Sequence, residues 1–467
     1  MKSKAIIGWS VLLGALWVVW IVSWCLAPLS VENGVFVSLA KYMAQGLTPY
    51  ADFQLGETPL GIALLSGVYK VLGTETSGYA GLAFIALVHG LNFFLLGKLM
   101  KRVSLKPMAL LVGLFFYFFL VYSSDGVMMN LEPMAVNFIL GCCLLILKRT
   151  RMGLWLGAAC MVLAVACKWQ SIVLLPVMLV LVFWQGKRNE FKPEKGLLFL
   201  AITVVGILIG SMGIAVLTQQ PDWYLQLVPP QEEVIFPQEV WYERLTYLVI
   251  QGGRCSLFFW LLIPFFWKKL SVHGKRFAGL SVLAFVCYLP LLLVEIKVPN
   301  GMLVYPFVAV AFAQLFQAIP NRKVAAVLAV LVCILPAGLS GREFLKLEGG
   351  KLKAQQQEEL ATLKQVIEKP GKAVVLFDDC YEYDLGPQIF SELSHIRPVY
   401  LKTSRLGLES QPNEQDSLIG QIQEADYLIM NEEGFSVLSY SASSELFFEV
   451  ISACKSYGTG SYLIYAK

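Results

Sequence analysis

The chain has 467 residues, 57% of them hydrophobic and only 15% charged, with a formal net charge of +4. A mean hydropathy of +0.64 over this length excludes a soluble globular domain and fits a polytopic membrane protein. The net charge carries little information; the placement of the charges carries a great deal.

Apolar runs long enough to cross a hydrocarbon layer of about 30 Å recur from Ala5 to Ser340. They cover Ala5–Leu29, Gly78–Gly97, Pro107–Ser123, Met129–Leu147, Met152–Cys167, Ser171–Gln185, Gly196–Leu217, Tyr247–Trp267, Phe277–Val294, Gly301–Ala318 and Lys323–Ser340, about eleven predicted spans. Residues 1–340 form the predicted membrane module, and 341–467 have the composition of a soluble domain. Lys2 and Lys4 before the first run resemble the start of a signal peptide, but the run is too long for a cleaved one and is read as the first span.

Basic residues gather in every second loop: Lys98, Lys101, Arg102 and Lys106; Lys148, Arg149 and Arg151; Lys187, Arg188, Lys192 and Lys195; Lys268, Lys269, Lys275 and Arg276; Arg322 and Lys323. The intervening loops are acidic, with Glu32, Asp52, Glu57 and Glu75, then Asp125, then Asp222, Glu232, Glu233, Glu239 and Glu243. The positive-inside rule then predicts a cytoplasmic N-terminus and, with an odd number of spans, an extracytoplasmic tail. The basic loops are a topology signal, so no nucleic-acid partner is implied.

The loop from Ser30 to Gly73 has internal order. Val35, Phe36, Leu39, Tyr42 and Met43 recur at helical spacing, which predicts an amphipathic helix over Asn33–Gln45, broken by Gly46-Leu47-Thr48-Pro49. Pro59 suits the first turn of a second short helix ending near Leu72-Gly73. The second long outer loop, Leu217–Thr246, holds Trp223, Tyr224, Trp241 and Tyr242, residues that favour a headgroup layer.

The tail opens with a polar helical stretch, Ala354–Lys369, followed by strand-like Ala373–Phe377, Pro398–Leu401, Tyr427–Met430 and Ser461–Ala466. Helical patterns at Leu385–Leu393 and Ser444–Tyr457 lie between them, which predicts a small α/β domain on a mainly parallel sheet. Of ten cysteines, only Cys380 and Cys454 fall in the tail, where pairing is an open alternative; the others lie in or beside apolar runs as small hydrophobes. No Cys/His cluster marks a metal site.

The motifs resemble a known family. Glu32-Asn33-Gly34-Val35-Phe36, Ala40, Gly46, Pro49-Tyr50, Asp52-Phe53, Pro59-Leu60 and Gly73 resemble the first outer loop of GT-C membrane glycosyltransferases, in the branch of protein O-mannosyltransferases and lipid A aminoarabinose transferases. Asn130-Leu131-Glu132 with downstream Lys168, and Asn300 through Tyr305-Pro306, resemble two further family motifs. The sequence departs from the pattern at Glu32, where the family has aspartate, at Thr58, where it has lysine, and in lacking the late histidine.

The resemblance implies an inverting transfer of a sugar from a polyprenyl-phosphate donor to a glycolipid, polysaccharide or protein acceptor at the outer face of the cytoplasmic membrane. Such chemistry needs a carboxylate to take the acceptor's proton and cations to stabilise the departing phosphate. Glu32 is the candidate base, against a helix-terminus charge; Glu57 and Asp52 are candidate orienting carboxylates, against solvated loop charges. Arg254, Lys168, Arg244 and Lys297 are candidate phosphate ligands, with buried ion pairing the plainer alternative for Arg254 and Lys168. Glu132, Asn130 and Tyr305 are structural or binding candidates, and Glu132 is expected to pair with Lys168 or another cation. No cofactor is required by these motifs, although the carboxylates leave a divalent cation open. The competing readings are a polysaccharide polymerase or ligase, a lipid-linked sugar transporter or flippase, and a catalytically silent homologue.

Overall fold

The computed structural model describes residues 2–26, 31–53, 55–123, 130–183, 193–227, 257–294, 298–321, 323–331, 349–377, 393, 396–402, 420–430, 432–439, 444–459 and 462–467. The described helices are α1 (Lys2–Leu26), α2 (Val31–Ala44), α3 (Pro59–Leu72), α4 (Tyr79–Arg102), α5 (Pro107–Ser123), α6 (Glu132–Ile146) and α7 (Arg151–Cys167). They continue with α8 (Leu175–Phe183), α9 (Pro193–Thr218), α10 (Val272–Val294), α11 (Tyr305–Ala318), α12 (Gly349–Val366), α13 (Glu432–Ser439) and α14 (Ser444–Ser452). The chain divides into two compact units: residues 1–21, 47–64 and 84–346, and residues 22–46, 65–83 and 347–467. The second unit therefore takes in most of the first loop and the tail.

Among the described residues, three helices are long and apolar enough to cross a membrane: α1, over Ile6–Ser23, α4 and α9. Six further apolar segments among the described residues are shorter, including α3, α5, α6, α7 and α11. Two of the eleven expected spans, Tyr247–Trp267 and Lys323–Ser340, lie in large part outside the described residues. The run predicted from Ser171 opens as a 3-10 turn, Trp169–Leu174, before α8 begins. Much of α1 and α9 presents apolar side chains outward, as at Val11, Val19, Ile209 and Val216, the pattern expected of helices that face lipid.

In the first unit, α6 and α7 form a helical hairpin across the basic turn. Arg149 takes a left-handed conformation there (φ 61°), and the Thr150 hydroxyl caps α7 by accepting the Gly153 N–H at 2.9 Å. A Cβ at Gly157 would lie 3.2 Å from Ile146 Cγ1, so a small residue lets the two backbones approach. Helix α4 is tied to α6 by Asn92, whose Nδ2 donates to the Pro133 carbonyl at 2.9 Å. Helices α5 and α11 pack through Phe116 and Phe312, ring centroids 4.4 Å apart. Gln314 on α11 donates from Nε2 to the Val103 carbonyl at 3.1 Å and accepts from the Ser271 hydroxyl at 3.0 Å, which satisfies polar groups beside two of the basic turns.

Helices α2, in the second unit, and α3, whose residues divide between the two units after Leu64, match the two helices expected in the first loop, and α3 runs from the predicted Pro59 to the predicted Leu72. Both end at glycines in the left-handed region, Gly46 (φ 92°) and Gly73 (φ 93°), where a side chain would be strained. The Lys41 ammonium lies 5.5 Å from the Tyr69 ring, and the Lys353 ammonium of α12 lies 4.4 Å from that of Tyr79.

The tail is a five-stranded sheet of order β2-β1-β3-β5-β4, with β1 (Gly371–Phe377), β2 (Ile396–Lys402), β3 (Tyr427–Met430), β4 (Lys455–Thr459) and β5 (Tyr462–Ala466). Ala373 and Val375 face a core with Leu363 of α12 and Ile367 just beyond it, whereas Val374 and Leu376 face Leu438 and Phe447. Burial on both faces explains why Ala373–Phe377 reads as an unbroken apolar run. The expectation of a mainly parallel sheet is corrected. β1 pairs in parallel with β2 and β3, but β5 is antiparallel to both β3 and β4. The helix expected over Ser444–Tyr457 stops at Ser452 and gives way to β4, which is too close to β5 for a crossover connection. Cys454 is a free thiol whose Sγ donates to the Val450 carbonyl at 3.3 Å, while Cys380 and the predicted helix Leu385–Leu393, apart from Leu393, lie outside the described residues.

Candidate functional site

Three charged side chains from distant parts of the sequence meet in the first unit. Lys168 is the residue at which the chain leaves α7. Its N–H still bonds the Ala164 carbonyl at 3.0 Å, but its backbone is extended (φ −150°, ψ 108°), and its carbonyl then accepts from Ser171 N–H at 2.9 Å. The Lys168 ammonium lies 3.1 Å from Glu132 Oε1 and pairs at closer range with Glu57 Oε1. Glu132 opens α6 with Pro133 behind it, where a carboxylate also meets the positive end of the helix. All three side chains are largely buried, with 7%, 3% and 17% of the Lys168, Glu132 and Glu57 side chains exposed.

Two carboxylates share the Lys168 ammonium in a largely buried setting. Burial alone pulls the Lys168 pKa down, because it penalises the charged form. Glu132 and Glu57 outweigh that effect, and the ammonium is held above the usual lysine range.

The first loop is fastened to the span ends around this cluster. The buried Thr58 hydroxyl donates to the Val165 carbonyl on α7 at 3.0 Å. A Cβ added at Gly61 would lie 3.0 Å from Leu131 Cδ2 and 3.1 Å from the Cys167 carbonyl, so glycine lets α3 approach both span ends without displacing either. Tyr50, itself left-handed (φ 66°), donates its hydroxyl to the Glu57 carbonyl at 2.6 Å, and its ring lies 5.2 Å from that of the buried Trp223. Burial, and secondarily the Glu57 charge, hold the Tyr50 phenol above its ordinary range.

The remaining candidates fall into two groups. Asp52 is exposed and spends Oδ2 on the Thr48 N–H at 2.6 Å, which closes the turn around Pro49 and Tyr50. Asn130 is buried beside the start of α6, and its Nδ2 has no hydrogen-bond partner; the same holds for the hydroxyl of buried Ser171, next to the Lys168 turn. Tyr305 is buried at the start of α11, after the turn Val298–Leu303 that packs on α6. Glu32 is the second residue of α2, but its side chain lies outside the described residues, as do Arg244, Arg254, Lys297 and Asp125 altogether. Among the described residues, no three His, Cys, Asp or Glu side chains converge as metal ligands would.

Sequence reasoning passed over Tyr50, Thr58, Gly61 and Ser171 as working parts of this region. Tyr50 and Thr58 carried a signal, since both sit within or beside the loop motif. Gly61 and Ser171 had none, because a glycine in a short helix and a serine at a span end are commonplace.

At the level of sequence, no known family and no curated protein matches the chain. Its fold does match solved structures. ArnT from Cupriavidus metallidurans, in a structure bound to undecaprenyl phosphate, superposes with a TM-score of 0.58 at 12% identity, covering 98% of each chain. The oligosaccharyltransferase of Archaeoglobus fulgidus superposes in its apo form with a TM-score of 0.54 at 10% identity, over 94% of this chain and 71% of that one. The same enzyme with zinc and sulfate gives 0.50 at 9% identity, over 94% and 69%. The chain thus shares the fold of these structures over nearly its whole length.

Proposed function

We propose that this chain is an inverting membrane glycosyltransferase that moves a hexosyl or pentosyl unit from a polyprenyl-phosphate donor to a glycolipid, polysaccharide or protein acceptor. The observation that carries the reading is the buried Glu57–Lys168–Glu132 cluster, which fastens the first loop to the ends of α6 and α7. It occurs in a fold shared with a protein crystallised on undecaprenyl phosphate and with an oligosaccharyltransferase. The alternating basic and acidic loops support a site at the outer face of the cytoplasmic membrane, with a cytoplasmic N-terminus and an extracytoplasmic domain over 341–467.

In this reading the acceptor oxygen or nitrogen attacks the anomeric carbon from the face opposite the phosphate, and a carboxylate receives its proton. Glu32 has that role, as the loop resemblance implies. Glu57, pinned through Tyr50 and Lys168, orients the acceptor side. Lys168 is spent on two carboxylates, so the leaving phosphate is assigned to Arg254, Arg244 and Lys297, where a guanidinium offers bidentate contact.

The test is mass spectrometry of surface glycans and lipids from cells with and without the protein, complemented by wild type, Glu32→Gln or Glu57→Gln. Loss of one sugar mass on deletion, restored by wild type and by neither variant, is expected. Full restoration by Glu32→Gln removes it as the base. Loss of the sugar mass with the lipid-linked sugar trapped on the cytoplasmic side identifies a flippase instead.

A further inference from the structure

We propose that the Lys168 ammonium is a built-in cation that holds the place a divalent metal ion would take between Glu57 and Glu132, and that Lys168 is thereby a positioning residue for Glu57. Its catalytic meaning rests on the glycosyl-transfer reading; the charge substitution does not.

Two carboxylates brought together away from water repel each other, and proteins commonly hold such pairs with a divalent cation ligated by their oxygens. Here one point charge bridges Glu57 Oε1 and Glu132 Oε1. The bridge is prepared from both sides by the chain itself. On one side, the Ala164 carbonyl and the Ser171 N–H fix the extended backbone that turns Lys168 out of α7. At that carbonyl-rich end of the helix a cation is favoured. On the other side, the Tyr50 hydroxyl holds the Glu57 carbonyl and the Thr58 hydroxyl holds Val165, so Glu57 arrives at a set distance from α7.

A lysine gripping the donor phosphate would need its ammonium turned toward solvent or lipid. Lys168 is 7% exposed and already meets two carboxylate oxygens, which leaves it one N–H. Its geometry is that of a counter-ion to protein groups.

The probe is Mn²⁺ alone, added to the full-length protein in detergent and followed by paramagnetic resonance and by thermal unfolding. Lys168→Ser is expected to gain one Mn²⁺ site with a dissociation constant on the order of 10⁻⁴ to 10⁻³ M, as for weak carboxylate sites. Mn²⁺ should raise its unfolding temperature, while wild type and Lys168→Arg should not respond. Lys168→Ser/Glu132→Gln should lose the site. Absence of Mn²⁺ binding by Lys168→Ser overturns the proposal, as does wild-type binding that Glu57→Gln abolishes.

If Lys168→Ser folds only when expressed with added Mn²⁺, the substitution is supported; if Mn²⁺ does not recover it, the proposal falls. Undecaprenyl phosphate binding separates the roles. A positioning lysine predicts that Lys168→Ser with Mn²⁺ retains it, and a tenfold or greater loss makes Lys168 a phosphate ligand. In cells, return of the sugar mass to Lys168→Ser on Mn²⁺ supplementation supports positioning of Glu57. If wild type adds no sugar at all, the transferase reading fails while the Mn²⁺ result on Lys168 stands.

Discussion

Replacing Lys168 by methionine removes one charge from a buried group of three and leaves its shape nearly unchanged. At 3.1 Å and an effective dielectric constant of about 20, each lysine–carboxylate attraction amounts to about 5 kcal/mol before desolvation is counted. Desolvation cancels much of that in the intact cluster, but it does not help the variant, in which Glu57 and Glu132 stay buried without the Lys168 charge. Removing one partner of a buried pair costs about 3–5 kcal/mol. Against a typical total of about 5–15 kcal/mol, that is a large share of the stability. Lys168→Met should therefore unfold far earlier than wild type when heated in detergent. The matched variant Glu57→Gln/Lys168→Met/Glu132→Gln carries no buried charge and should recover to within about 1 kcal/mol of wild type, since neutral replacements of buried pairs are often harmless. Equal unfolding temperatures for wild type and Lys168→Met would show that the three groups do not bear on one another. Equal losses in the single and triple variants would show that side-chain shape, and not charge, holds the loop.

Gly61→Ala should cost about 1–3 kcal/mol, because its Cβ meets Leu131 and the Cys167 carbonyl at 3.0 and 3.1 Å and the backbone carbonyl yields less readily than a side chain; a loss of stability under about 0.5 kcal/mol would contradict the close approach. Alkaline pH should destabilise the wild type. Lys168 and Tyr50 both hold their protons more tightly when folded than when unfolded, so their stabilisation is complete below pH about 10 and is lost as pH rises toward the folded values. Unfolding temperatures read between pH 8 and 11 should fall less steeply in the charge-free triple variant, and parallel curves would refute the assignment. Asp52→Asn keeps an acceptor for the Thr48 N–H and should retain both stability and the sugar product, whereas Asp52→Ala should lose about 0.5–1.5 kcal/mol; loss of the sugar mass in Asp52→Asn would promote Asp52 to a chemical role.

Part of the site was legible before any coordinates. Glu57, Glu132 and Lys168 stood out because ionisable side chains beside apolar runs are costly and must be answered by a partner. Asp52 stood out for the same reason, yet its carboxylate closes its own turn, a use that the loop motif does not distinguish from a chemical one. The two helices of the first loop were legible down to the ends of α3, since proline at the start and glycine at the stop act on the local backbone.

What the chain alone determined is whatever depends on neighbours along it: apolar stretches of membrane length, the alternation of basic and acidic loops, helix punctuation, and strands such as Tyr427–Met430. What only the tertiary structure decided is whatever depends on distance through space. It joined Lys168 to a glutamate 111 residues earlier, turned Thr58 toward Val165, and set β5 antiparallel beside β3. The reason is physical. A helix period or a cap is an interaction over three or four residues, so it is written in order. A shared ammonium is the outcome of three backbones packing to within a few ångströms, and a glycine at 61 that permits this looks the same in sequence as one that does not.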